Sequence, residues 1–125
     1  MKRIISTPDA PAAIGPYSQA VEINGTLYIS GQIPIDPNTN TLVEGGIIEQ
    51  THQVFENIKA ILTAAGYTTD DVIKSTVFLS DMQYFGEVNS IYKTFYTHEF
   101  PARSAFAVKG LPLGALIEIE TVAAK

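Results

Sequence analysis

The stretch Leu116-Ile117-Glu118-Ile119-Glu120-Thr121-Val122-Ala123 sets the architecture of this chain. Its β-branched residues favour an extended backbone, and along a strand successive side chains point to opposite faces. Ile117 and Ile119 then share one face, while Leu116, Glu118, Glu120 and Val122 share the other. The isoleucine face requires a covering layer of helices. The opposite face mixes two carboxylates with aliphatic side chains, which is too apolar for plain solvent. Self-association is expected to cover it, with sites at the seams between copies.

Upstream of this strand, Ser104 to Val108 reads as another, and Pro101 stops the element before it. Phe85, Val88, Tyr92, Phe95 and Tyr96 supply the apolar side of a helix, with Ser80-Asp81-Met82-Gln83 as a capping box in which Ser80 is the cap. Val72 to Leu79, rich in β-branched and aromatic residues, reads as a buried strand. An earlier helix is marked by Ile47, Thr51, Val54, Ile58, Ile61, Leu62 and Ala65 on one side, with Gly66 to terminate it. Ser18 to Ile23 and Thr26 to Ile33 flank Asn24-Gly25, the strongest hairpin signal in the chain. Pro34 and Pro37 end the second of these strands, and Asp36 to Gly46 reads as a surface loop. The order of strands, helix, strand, helix, strands specifies an α+β fold: one sheet of about six strands with two helices on one face.

Residues 1–125 are expected to form one domain, large enough for a sizeable core. A hydrophobic content of 46% with 17% charged residues excludes global disorder. No apolar run reaches membrane-spanning length, and the first residues lack the layout of a signal peptide. The absence of cysteine excludes disulfides, thiol catalysis and Cys-ligated metals. Together these features lead to the expectation of a cytoplasmic protein without a membrane partner. The eight cations are scattered against a net charge of −5, with no basic stripe of the kind nucleic-acid binders carry. His52 and His98 are far apart and expected at the surface, with no third ligand at recognisable spacing for a metal.

Only two arginines occur, Arg3 and Arg103. Arg3 is close to a terminus, where order is least assured, so Arg103 is the guanidinium expected to be held inside the domain. Its planar fork of donors suits a carboxylate or phosphate better than lysine does. An acidic substrate would need such a group to overcome the overall field. The alternative for Arg103 is a structural ion pair with Glu118 or Glu120 across neighbouring strands. Those two glutamates, two apart on one strand face, are the candidates for acid/base work.

Six fragments then coincide: Ala12-Ala13-Ile14-Gly15-Pro16-Tyr17-Ser18, Ser30-Gly31-Gln32-Ile33-Pro34, Val88-Asn89 with Tyr92, Pro101-Ala102-Arg103-Ser104, Leu111-Pro112 and Ile117-Glu118-Ile119-Glu120. In this order and spacing the chain resembles the Rid family of reactive intermediate deaminases, from about Ala10 to the C-terminus. The resemblance implies a chorismate-mutase-like fold and a homotrimer with three clefts between subunits. It also implies hydrolysis of 2-imino acids, tautomers of enamines such as 2-aminoacrylate, to 2-keto acids and ammonia, without metal or organic cofactor.

Carried over residue by residue, the resemblance makes Arg103 the anchor of the substrate carboxylate. Glu118, fifteen residues later, positions the attacking water and passes a proton to the leaving ammonia. Glu120 is the alternative carboxylate, or an interface salt bridge. Tyr17 closes the pocket from one side, and Ser30 with the Gly31 backbone contributes near the reacting carbon. The bland readings are a strand-edge hydroxyl for Ser30 and a simple bulge for Gly31. Asn89 either touches ligand or fixes a loop, and Phe85 is either an apolar wall from a neighbouring subunit or core. Many relatives carry cysteine where this chain has Ala105; a backbone N–H contact there survives the change. Two other readings use the same chain: a non-catalytic sensor or chaperone-like module for 2-keto acids, and an RNA-cleaving translation inhibitor, which the acidic balance opposes.

Overall fold

Asn24 and Gly25 take positive φ of 50° and 77°, the backbone that a two-residue hairpin turn requires. They join β2 (Ala20–Ile23) to β3 (Thr26–Gln32). The computed structural model describes all 125 residues, Met1–Lys125. The remaining sheet strands are β1 (Arg3–Ile5), β6 (Val72–Leu79), β7 (Ala102–Ala107) and β8 (Ile117–Ala124). They pair in the order β1-β2-β3-β8-β6-β7. Every pairing is antiparallel except that of β6 with β7. A parallel pair needs a long crossover, and helix α2 (Phe85–Phe95) supplies it.

Two helices therefore cover one face of a mixed six-stranded sheet. Helix α1 (Ile47–Ala65) buries every residue that its periodicity selects, and Gly66 ends it in the left-handed conformation at φ 85°. Ile117 and Ile119 of β8 are fully buried in one core with Val54, Ile58, Ile61 and Leu62 of α1. On the open face, Phe78 of β6 and Phe106 of β7 meet edge to face with ring centroids 5.4 Å apart. Tyr28 of β3, Ile73 of β6 and Phe106 of the edge strand β7 remain about half exposed. No helix is long and apolar enough to cross a membrane.

Four local expectations are corrected. The Asp36 to Gly46 segment is not simple loop: β4 (Ile35–Asp36) and β5 (Thr41–Leu42) form a small antiparallel hairpin. Ser80 is not the cap before α2. The Asp81 carboxylate accepts a hydrogen bond from Gln83 N at 2.8 Å and opens a 3-10 turn, Met82–Tyr84, that runs into the helix. Strand β7 starts two residues earlier than the sequence indicates, so Arg103 lies within it. Arg3 is ordered as well: its Nε pairs with Glu22 Oε1 at 3.0 Å and its guanidinium donates to the Ala65 carbonyl at the end of α1.

If β8 is the hinge between the two layers, Ile119→Ala removes core contacts from both. A loss of about 2–5 kcal/mol is expected, seen in denaturant titration as a lower midpoint with an unchanged slope.

Candidate functional site at two faces of one sheet

Strand β3 bulges between Ile29, which pairs with Thr121, and Gln32, which pairs with Ile119. Ser30 and Gly31 together oppose Glu120, two residues against one. The bulge has a steric purpose at Gly31. A Cβ there would collide with the Glu118 carboxylate, so only glycine lets that side chain lie against the strand. Gly31 is thus a bulge residue whose missing side chain admits the Glu118 carboxylate.

Ser30 is pinned, its hydroxyl donating to the Ser18 carbonyl at 2.6 Å and its N–H to the Gln19 carbonyl at 3.0 Å. The buried amide of Gln19 holds the preceding segment. It donates to the carbonyls of Thr7, Ala10 and Pro11 and accepts from Thr7 N at 2.7 Å. That fixes the loop carrying Ile14 and Tyr17. Gln19 escapes a sequence reading because nothing in its spacing marks a buried amide.

Tyr17, Ser30, Gly31, Glu118 and Glu120 line one cavity of about 650 Å³. Leu113 closes part of its rim with the rare backbone φ of 57° for a branched residue. Glu118 is half-buried while Glu120 is exposed. Burial first, and the charge of Glu120 second, push the Glu118 carboxyl above its ordinary value, with no hydrogen bond opposing the rise.

The other candidates gather elsewhere. Arg103 donates from its guanidinium to Asn89 Oδ1 at 2.7 Å. The guanidinium lies 4.7 Å from the ring centroid of Tyr92 and 5.3 Å from that of Phe85. All three partners belong to α2, on the helix side of the sheet. Phe85 is half-buried against the core, so its packing role and its contact with Arg103 coexist. Ala105, two residues on and thus on the same face as Arg103, packs partly into the core opposite Val77.

Glu118 pairs in register with Phe78 on the open side. Arg103 and Glu118 are thus on opposite faces of one sheet, with β6 between their strands. The suggested Arg103 pairing with Glu118 or Glu120 does not form. The single ion pair in the structure is Arg3–Glu22. His52 and His98 are both exposed.

The family profile described as Endoribonuclease L-PSP matches residues 7–125. The chain is 50% identical over 123 residues to mouse 2-iminobutanoate/2-iminopropanoate deaminase, covering 98% of this chain and 91% of that protein. A Yersinia pestis protein of the conserved Rid family superposes with a TM-score of 0.98 at 50% identity, over the full length of both chains. This chain belongs to the Rid family. A further family structure, E. coli TdcF with bound serine, matches this Rid protein with a TM-score of 0.94 at 40% identity, covering 98% of each chain.

Two outcomes follow for Glu118. In Gly31→Ala the flexible carboxylate swings out to solvent with little change in stability. Its pKa then falls toward the ordinary value, which side-chain carbon NMR titration reads directly. In the parent protein the native pKa is raised above the unfolded value near 4.5. The stability contributed by Glu118 is then fully present below that pH and is lost as pH rises through the native pKa. Glu118→Gln lacks this loss, so unfolding curves across the window should show the variant gaining on the parent as pH increases.

Proposed function

We propose that this Rid protein hydrolyses small 2-imino acids to 2-keto acids and ammonia, in clefts shared between subunits of a homotrimer. The whole chain acts as one Rid-type domain, in the cytoplasm, without metal or organic cofactor. The observation that carries the reading is the pair of half-sites. One holds a desolvated carboxylate without a cationic partner, the other an arginine without an anionic one, and the sheet keeps them apart within a chain. A neighbouring copy that sets its Arg103 face against the Glu118 cavity completes both. The deaminase name of the mouse relative at 50% identity supports the same chemistry.

In this scheme Arg103 binds the substrate carboxylate with the donors that Asn89 leaves free, ideally through two parallel hydrogen bonds. Phe85 and Tyr92 hold the guanidinium plane, and Asn89 fixes its rotation. The substrate reacts as its iminium ion, C=NH2⁺: the Glu118 carboxylate takes a proton from water as the water oxygen bonds to C2, giving a neutral carbinolamine. Protonated Glu118 returns that proton to the nitrogen. The C–N bond then breaks, ammonia leaves, and the hydroxyl proton passes to Glu118 as the keto group forms. Tyr17 and Ser30 border the reacting carbon, and the Gly31 and Ala105 backbones permit close approach. The imine carbon is already electrophilic, so orientation and a positioned water are enough.

The endoribonuclease description of the family profile raises a second reading. The net charge of −5 opposes it, because phosphate binding draws on clustered cations.

The test couples a serine or threonine dehydratase to this protein and follows keto-acid release. Faster release than spontaneous hydrolysis, lost in Arg103→Ala and Glu118→Gln, is the expected result. No acceleration, with 2-ketobutyrate still bound through Arg103, would leave a sensor instead. Subunit sharing has its own signature. Mixing the two inactive variants, with subunit exchange, pairs an intact Arg103 with an intact Glu118 at about a quarter of the interfaces. Activity should return toward that fraction of the parent, whereas sites contained within one chain would stay silent.

A further inference from the structure

The cavity beside Arg103 is lined by one cation, Lys93, that the reaction above does not use. Its volume is about 360 Å³ and its lining is Asn89, Tyr92, Lys93, Phe100, Pro101 and Arg103. Two of the eight cations of an acidic chain therefore face one small space, and no carboxylate lines it. Neither cation is in an ion pair. Lys93 lies one helical turn beyond Asn89, the residue that orients Arg103, so both project from the same side of α2. The rest of the wall is Tyr92, Pro101 and Phe100, the last 60% exposed with its ring unpartnered. Two like charges gathered over an apolar floor repel each other until an anion arrives, and a ligand with two negative groups relieves both.

We propose that Lys93 forms a second anion subsite beside Arg103, so that the cleft selects dicarboxylic 2-imino and 2-keto acids over monocarboxylic ones. Arg103 takes the carboxylate next to the reacting carbon. Lys93 takes the carboxylate at the far end, and Phe100 and Tyr92 flank the intervening carbons. The inference rests on Arg103 as carboxylate anchor. The competing account of Lys93 is a cation placed in the last turn of α2 for the helix dipole. That role would affect helix stability and leave ligand choice unchanged.

The experiment measures binding of 2-ketoglutarate and 2-ketobutyrate to the assembled protein by calorimetry, in the parent and in Lys93→Met, Lys93→Arg and Arg103→Ala. A preference of about fivefold for 2-ketoglutarate is expected, near the upper end of what a solvent-exposed ion pair provides. Lys93→Met should erase that preference without changing 2-ketobutyrate affinity, Lys93→Arg should keep it, and added salt should weaken it. Equal affinity for the two acids in the parent overturns the subsite, as does a preference that survives Lys93→Met. A different failure marks the underlying reading. If 2-ketobutyrate does not bind, or binds equally well in Arg103→Ala, the carboxylate anchor itself is wrong.

Discussion

The two-residue period of β8 governs both the stability and the chemistry of this protein. Ile117, Ile119, Thr121 and Ala123 are buried under the helices, and the alternation leaves Glu118, Glu120 and Val122 on the other side. A one-residue slip would bury the carboxylates and expose the isoleucines. Burial against α1 therefore fixes the register, and the register fixes where the carboxylates emerge. The bulge at Ser30 and Gly31 accommodates that choice on the neighbouring strand. The buried side chains Gln50 and Asn57 extend the same control. Gln50 accepts from Leu116 N at the entry to β8, and Asn57 donates to the carbonyls of Ile33 and Ile35 beyond the end of β3. The helix layer thus positions the cavity from behind.

Much of the fold was legible because its signals are local or periodic. Asn24-Gly25 demanded a hairpin, α1 carried its apolar stripe to a terminating glycine, and β8 alternated. What escaped depends on distant partners. Arg3 looked disordered by position, yet Glu22 and the Ala65 carbonyl order it from nineteen and sixty-two residues away. The cap before α2 went to Asp81 rather than its neighbour Ser80, a choice made by backbone geometry that the tetrapeptide does not encode. For the site, the resemblance grouped Arg103 with Glu118, Tyr17 and Ser30, and the structure brings only the last three to one cavity. The resemblance gave no sign that strand alternation and the β6–β7 crossover put the arginine on the opposite face from the glutamate.

That separation also sorts charge. The cavity around Glu118 and Glu120 is acidic, and the one around Arg103 and Lys93 is basic. A surface with unlike patches on different faces is complementary to a rotated copy of itself, head to tail. Such contacts close into rings when the rotation permits. Under the proposed assembly, the apolar open face, with Phe78, Phe106 and Ile73, would supply area for the contact, and the two charged patches would set its orientation.

If the proposed roles hold, a sheet that isolates the Glu118 carboxylate from the Arg103 guanidinium makes competence a property of encounters. Under the shared-cleft reading, a folded monomer has every side chain that the reaction needs and no site in which to use them. Dilution below the assembly constant would silence the protein without unfolding it, and specific activity would climb with concentration before levelling off. Newly made chains would stay inert until enough copies accumulate, so abundance itself becomes the switch.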